Sequence, residues 1–226
     1  MKDKEGIKIW VIIPAYNERF SLSGILDEVK SRNLSVLVVD DGSIDNTYEL
    51  AKKKADFVIR NNRNLGKGMS LKRGIAYLLN KADFDYIITM DADGQHSPVE
   101  LDKFLQEAAS GTYFTVGNRM FNHSGMPKLR VITNKFMSWL ISRIARQRIP
   151  DTQCGFRLIK RETLERIKIE TNNFEIESEI LIKAARLGFP IKSIPIKSIY
   201  FKSLRSRINP FIDTIRFIKF ILQLEK

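Results

Sequence analysis

A chain of 226 residues with 43% hydrophobic positions holds enough apolar material for one good-sized core or a core with a small appendage. Its one cysteine, Cys154, excludes an internal disulfide framework, and with His96 and His123 as the only histidines a zinc site is not expected and a reducing compartment is. Lys and Arg number 38 against 26 acids, and a net charge of +12 calls for an anionic partner such as nucleic acid, a phosphosugar or a lipid headgroup. The positive charge belongs to the second half: there are no acids between Glu107 and Asp151, and seven Lys or Arg but no acid between Glu179 and Asp213. No run of eighteen apolar residues occurs and the first six residues are too charged for a signal peptide, so neither a membrane span nor export by that route is expected. No internal repeat or low-complexity linker interrupts the chain.

The first strand is predicted over residues 7–13, closed by Pro14-Ala15-Tyr16-Asn17-Glu18. Leu22, Ile25, Leu26 and Val29 then give helical spacing over 21–32. A second strand over 35–39 ends in Asp40-Asp41-Gly42-Ser43-Ile44-Asp45-Asn46-Thr47, a run of turn formers before a helix over 48–54. The third strand, 57–59, leads through Asn64-Leu-Gly66-Lys67-Gly68 into a helix ending near residue 80. The fourth, 86–90, runs straight into Asp91-Ala-Asp93-Gly-Gln95-His96-Ser-Pro98.

Asp91 and Asp93 therefore stand at a strand's carboxyl end, two residues apart and on one side, with backbones roughly 6.6 Å apart at about 3.3 Å per residue. Such a pair suits a hard divalent ion, Mg²⁺ or Mn²⁺, that keeps positions open for phosphate oxygens, and so implies a diphosphate substrate. A calcium loop is excluded, because Gln95 and His96 stand where the EF-hand requires Asp or Asn and then Gly. Strands alternating with helices imply a mostly parallel α/β sheet whose four polar loops share one rim, where a nucleotide fits. Gly66-Lys67-Gly68 lacks the third glycine of the dinucleotide fingerprint and no Walker A spacing occurs, which argues against dehydrogenases and P-loop NTPases.

A helix over 98–110 and a strand over 113–116 bring Arg119 to the same rim, where a guanidinium can hold a phosphate bidentately. A helix is predicted over 134–149, with Phe136, Met137, Leu140, Ile141 and Ile144 as its core stripe. Lys135, Trp139, Arg143 and Arg146 line its other side, a pattern suited to an anionic membrane surface. After Asp151-Thr-Gln153-Cys154-Gly155-Phe156-Arg157 come a strand and a helix, then a helix from the acidic stretch at 175–179 to residue 187 and a strand over 191–196. The acids at the helix start suit its dipole. A basic loop over 201–207 precedes a last helix, 209–224, that is apolar over most of its circumference and so calls for a partner or a membrane.

Taken in order, Ile12-Ile-Pro14-Ala15-Tyr16-Asn-Glu18, Val39-Asp-Asp41-Gly-Ser43, Met90-Asp91-Ala-Asp93-Gly-Gln95-His96, Gly117-Asn-Arg119, Asp151-Thr-Gln153-Cys-Gly155-Phe-Arg157 and Ser206-Arg207-Ile-Asn-Pro210 resemble the family 2 glycosyltransferases of the GT-A fold. Within them the chain is similar to the polyprenyl-phosphate branch related to dolichyl-phosphate mannose synthase. The resemblance implies one GT-A domain over 1–226, with a nucleotide-binding half at 1–117, an acceptor-side half at 118–207 and a terminal amphipathic helix at 208–226. It implies that Pro14, Ala15, Tyr16, Glu18 and Asp41 hold the base and ribose. Asp91, Asp93 and Gln95 would hold Mg²⁺ or Mn²⁺ on the donor diphosphate. Arg119 and Arg130 would face phosphates and, with Asp93, form the catalytic set; Lys67, Asp151, Gln153 and Arg207 would line the substrates.

The implied reaction is inverting transfer of a hexose from a UDP- or GDP-linked sugar to a polyprenyl phosphate, dolichyl or undecaprenyl, by a protein peripheral on the cytoplasmic face of the membrane. Relatives often carry the closing loop as Arg-x-x-Gly-x-Ser-Lys, whereas residues 201–207 here offer Phe201, Leu204, Ser206 and Arg207. Many relatives also have membrane helices after the catalytic domain, so this chain would reach its lipid through its own amphipathic helices or a separate membrane subunit. Two alternatives stand beside this reading. A soluble transferase acting on a glycan or protein hydroxyl would make Asp151 the base candidate. A non-catalytic nucleic-acid binder would account for the charge but not for carboxylates at strand ends, so no nucleic-acid partner is expected.

Overall fold

The computed structural model describes residues 6–173 and 175–199. Strand β1 (Ile9–Ala15) carries Val11, Ile12 and Ile13 with no exposed surface. Successive strand residues point to opposite faces, so β1 is covered on both sides, as a continuous apolar run requires. The elements that follow are α1 (Arg19–Lys30), β2 (Ser35–Asp40), α2 (Thr47–Lys54), β3 (Phe57–Arg60), α3 (Lys67–Lys81), β4 (Tyr86–Thr89), α4 (Leu101–Ala109), β5 (Phe114–Asn118), α5 (Lys128–Ala145), β6 (Arg157–Lys160), α6 (Arg161–Glu165), α7 (Glu175–Arg186) and β7 (Ile191–Pro195). Leu22, Ile25, Leu26 and Val29, the predicted stripe of the first helix, are its buried residues.

The seven strands among the described residues form one sheet in the order β3-β2-β1-β4-β6-β5-β7. β1 pairs in parallel with β2 and β4, and β2 with β3. Only β6 is reversed, antiparallel to both β4 and β5, while β5 and β7 run parallel. The reversal places the site. Because β1 to β5 all point one way, the segments leaving β1, β2, β3, β4 and β5 emerge on one rim. Because β6 points the other way, the stretch 151–156 that enters it lies on that rim too.

Several boundaries differ from the expected ones for physical reasons. A short 3-10 turn at Pro98–Glu100 begins the predicted 98–110 helix, and α4 proper starts at Leu101. β5 extends to Asn118 because β7 supplies a partner for Gly117 (Ile194) and Asn118 (Pro195). The helix expected from residue 134 starts at Lys128, immediately after Pro127, whose extended ψ of 135° brings the chain in as an N-cap residue does.

Of the predicted core stripe of α5, Ile141 is buried and Met137, Leu140 and Ile144 pack against the core, whereas Phe136 does not. Phe136, predicted to pack inward, is 58% exposed, and the buried residues are Asn134, Ser138, Ile141 and Ala145. At about 100° per residue the apolar positions of this helix span more than half its circumference, so burying one side leaves apolar residues on the other. Polar and small residues share the buried side with Ile141, Met137, Leu140 and Ile144 because the loop beneath it has polar groups to satisfy. Asn134 Nδ2 donates to Asp151 Oδ1 at 2.9 Å, and Thr152 N donates to Ser138 Oγ at 3.0 Å. The predicted loop 201–207 with Arg207, and the last helix at 209–224, lie outside the described residues.

Candidate active site

The first two rim segments are stitched to each other. Asn17, in the left-handed region at φ 56°, donates its N–H to Ser43 Oγ at 2.9 Å and accepts from Ile44 N at 2.9 Å. Glu18 N donates to Thr47 Oγ1, and Ser21 Oγ donates to the Ala92 carbonyl at 2.6 Å, tying the β1 loop to the Asp91–Asp93 turn. Pro14, Tyr16 and Glu18 are half-buried along this edge and Ala15 is buried. Asp41 is buried and turned inward: its carboxylate accepts from Asn61 Nδ2 at 2.6 Å and from the backbone N–H of Leu65 and Gly66, each at 2.8 Å. It therefore fixes the approach to α3. Gly68 lets that approach close onto the opposite side of the rim, since a Cβ there would lie 1.9 Å from the Asn173 carbonyl oxygen.

Lys67, the first residue of α3, reaches across to Asp91 Oδ1 at 2.6 Å and to Glu177 Oε1 at 3.2 Å. Burial alone would lower the lysine's affinity for its proton, but the two carboxylates outweigh it, so the group is held above its usual range and stays an ammonium. Burial would likewise raise the Asp91 carboxyl, and the charge of Lys67 reverses this and holds it well below the carboxylate range. His96 is buried behind Asp91, stacked on Phe156 at 5.2 Å. Its Nδ1 accepts the Asp91 N–H at 3.1 Å, which leaves the proton on Nε2, 3.8 Å from Asp91 Oδ2. Burial keeps this imidazole below its ordinary pKa and hence neutral.

Asp93 is half-buried and takes only the N–H and Nε2 of Gln95, each at 2.9 Å; it forms no ion pair among the described residues. Gln95 in turn receives Arg130 Nη1 at 3.4 Å, so the exposed start of α5 touches the Asp93 turn. Two hard carboxylates at one strand end, one of them without a cation, fit a divalent ion by donor chemistry. The described residues contain no cluster of three His, Cys, Asp or Glu that could enclose a metal. An ion at Asp91 and Asp93 would keep coordination positions open for further oxygens, which a diphosphate can supply.

Arg119, expected to face phosphates, has three donors on one carboxylate. Its backbone N–H and Nε donate to Asp151 Oδ2 at 2.9 and 2.8 Å, and Nη2 donates to Oδ1 at 2.9 Å. Arg119 is 6% exposed and Asp151 is fully buried. Burial would raise the Asp151 carboxyl, but the Arg119 hydrogen bonds and charge, with Asn134, hold it below its usual range. Arg157 is buried as well, donating Nε to the Cys154 carbonyl at 2.8 Å, Nη2 to that of Thr152 at 2.9 Å and Nη1 to that of Glu177. It locks the 151–156 segment to the start of α7. Gln153 is exposed on this segment and makes none of these bonds. Cys154 is buried and its thiol is pushed up to about 12, chiefly by desolvation, so it is inert at neutral pH.

Glu177 and Glu179 are the site residues that sequence reasoning passed over, although the acidic run that contains them was noted. Glu179, buried, accepts from the N–H groups of Glu170 and Thr171 at 2.8 and 2.9 Å and from Lys183 at 2.7 Å, holding the segment before α7 in place. Glu177 projects instead toward Lys67. Nothing in the spacing of the three acids distinguishes these tasks; the neighbours of each face of α7 do.

The family described as "Glycosyl transferase family 2" matches residues 10–168, a span that includes every described rim segment from β1 to β6. The UDP-N-acetylglucosamine--dolichyl-phosphate N-acetylglucosaminyltransferase of Methanococcus voltae is 30% identical over 218 residues, covering 85% of this chain and 86% of the relative. The polyprenol monophosphomannose synthase of Mycolicibacterium smegmatis is 29% identical over 200 residues, covering 82% and 75%. In three dimensions the chain matches glucosyl-3-phosphoglycerate synthase from Mycobacterium tuberculosis, a structure containing Mn²⁺, UDP and glucosyl-3-phosphoglycerate. The TM-score is 0.74 at 19% identity, over 96% of this chain and 80% of that one, and the likeness establishes the shared GT-A fold. Sequence and fold together show that the chain belongs to glycosyl transferase family 2 and is a glycosyltransferase.

Proposed function

We propose that the protein transfers a hexose from a nucleoside-diphosphate sugar to a polyprenyl phosphate at the surface of an anionic membrane. The observation that carries this reading is the double character of α5. Its first turn holds Arg130 against Gln95 of the Asp93 turn, while Leu129, Ile132, Phe136 and Trp139 are 73%, 64%, 58% and 56% exposed. At about 100° per residue these four fall within an arc of about 80°. Arg143 lies over Trp139 at 5.9 Å and Lys135 borders the stripe, an apolar face edged by cations that suits anionic lipid. No helix among the described residues is long and apolar enough to cross a membrane. An acceptor whose phosphate stands at headgroup level would then meet Arg130 beside the donor.

In the proposed reaction an acceptor phosphate oxygen forms a bond to the anomeric carbon as the bond from that carbon to the donor diphosphate breaks, and the electron pair leaves with the nucleoside diphosphate, with inversion. Asp91 and Asp93, with Gln95 beside them, would hold Mg²⁺ or Mn²⁺, which supplies charge neutralisation on the leaving diphosphate. Arg130 stabilises the acceptor phosphate and orients it. Arg119, neutralised by Asp151, fixes the rim between β5 and β6. Pro14, Ala15, Tyr16 and Glu18 form the edge for base and ribose, which Asp41 braces from below. A phosphate acceptor is already anionic and requires no general base. The alternative hydroxyl acceptor would require one, and Asp151, with both oxygens occupied and its pKa depressed, is poorly suited to that role.

The test is incubation with labelled UDP-glucose, UDP-N-acetylglucosamine or GDP-mannose, undecaprenyl phosphate and Mn²⁺ or Mg²⁺. Label is expected in an organic-extractable product that EDTA abolishes; metal-dependent donor hydrolysis without lipid product would move the acceptor to a hydroxyl. The membrane contact has its own prediction. Replacing Phe136 with Ser and Trp139 with Glu is expected to weaken co-sedimentation with phosphatidylglycerol vesicles by at least about tenfold, from lost apolar burial alone. Equal co-sedimentation of variant and wild type would remove α5 from the lipid interface.

A further inference from the structure

Lys67 breaks a local rule. A lysine at the first position of a helix meets the positive end of the helix dipole, so it does not serve α3 itself, and such violations gather where function demands them. Its ammonium lies between two carboxylates from different elements, 2.6 Å from Asp91 and 3.2 Å from Glu177. The space around it is fitted: a Cβ on Gly155 would come within 2.8 Å of both Lys67 Nζ and Glu177 Oε1 and within 3.3 Å of Asp91 Oδ1. Asp93 has no such cation among the described residues.

We infer that Lys67 is an exchangeable counter-ion. It neutralises Asp91 while the donor site is free and moves onto Glu177 and the donor's phosphates when a divalent ion takes Asp91. The inference rests on the reading of Asp91 and Asp93 as the metal-binding pair. An ammonium and a divalent ion on the same carboxylate repel at contact distance, which weakens the Lys67–Asp91 contact when the ion binds. Lys67 is the group with a second seat, and Glu177, on a helix start that Arg157 and Glu179 hold rigid, provides it. The device keeps Asp91 ionised and aimed before the donor arrives, and returns the lysine's charge to the diphosphate afterwards.

The experiment is titration with Mn²⁺ alone, followed by electron paramagnetic resonance of the free ion, and then with pyrophosphate at saturating Mn²⁺. Lys67→Met is expected to bind Mn²⁺ alone about tenfold more tightly, because no ammonium competes, yet to bind pyrophosphate about tenfold more weakly. Glu177→Gln, which removes the second seat, is expected to weaken Mn²⁺ binding about fivefold in the wild-type background and to have under about a twofold effect in the Lys67→Met background. That non-additivity separates exchange from a general field, since two independent charges would give additive effects. Additive effects, or unchanged or weaker Mn²⁺ binding by Lys67→Met, would overturn the exchange. If Lys67→Met does not fold, unchanged or tighter Mn²⁺ binding by Glu177→Gln overturns it equally. No Mn²⁺ binding by the wild-type protein would overturn the exchange and the metal reading together, whereas binding that Asp93→Asn weakens but Lys67 and Glu177 substitutions leave unchanged would overturn the exchange alone.

Discussion

Asp93→Asn is expected to lower sugar transfer by about 10²–10³-fold, the usual consequence of losing one preorganised charge from a leaving-group site. The fold has little stake in this carboxylate. It is half-buried, its bonds run only to Gln95, and an asparagine oxygen can keep one of them. The melting temperature is therefore expected to stay within about 2 °C of wild type, as for other substitutions away from the core. Activity and thermal melting of the same preparation check both halves. A variant that keeps a tenth or more of the transfer rate would show that Asp93 does not stand on the reacting diphosphate; one that loses activity only by unfolding would assign Asp93 to structure.

Asp151→Asn is expected to have the reverse profile, with its largest effect on stability. Asp151 accepts four hydrogen bonds, three from Arg119 and one from Asn134, with no exposure to water. An amide cannot accept them all and removes the negative charge that Arg119 is bonded to, at a cost of about 3–5 kcal/mol for breaking a buried pair. For a chain of this length that corresponds to a fall in melting temperature on the order of 10 °C. The pH dependence follows from the depressed carboxyl of Asp151. A carboxyl whose folded pKa lies below its unfolded value, about 3.9, contributes its full stability above that value and loses it as pH falls through the folded pKa. The wild-type protein should thus lose this contribution below about pH 4, and the variant should show a smaller acid loss from a lower plateau. Urea unfolding at pH 7 and at pH 3.5 measures the difference; parallel acid limbs in the two proteins would mean that the pair is not coupled to folding.

The two expectations separate residues that the sequence presents alike. Asp93 and Asp151 are both acids in motifs of one family, and both entered the candidate site, Asp93 already from its place at a strand end. The fold makes one of them available at the rim and the other the buried anchor of Arg119. Arg119 changes meaning in the same way: as a residue just past a strand it reads as a phosphate ligand, and the loop of β6 turns it into half of an internal pair.

The sequence by itself determined the parallel half of the sheet, since β1, β2 and β4 are apolar runs that end in turn formers and alternate with helical patterns. It also determined that Asp91 and Asp93 close a strand, and the order of the motifs carried the family. Long-range placement lay beyond it. The reversal of β6, which brings Asp151 and Gly155 to the rim, depends on which strands lie beside it, and no local periodicity encodes that. The inner face of α5 was legible except at its edge: Met137, Leu140, Ile141 and Ile144 pack inward, but the apolar arc is wider than the contact, so Phe136 stays outside and Asn134 and Ser138 go inward to meet Asp151 and Thr152. Lys67, Asp91 and Glu177 meet only in three dimensions, being 24 and 86 residues apart along the chain, and the ammonium held between the two carboxylates follows from packing α3, β4 and α7 together. Hydrophobic pattern selects the elements, whereas the pairing of buried charges depends on the distances that only the assembled fold sets.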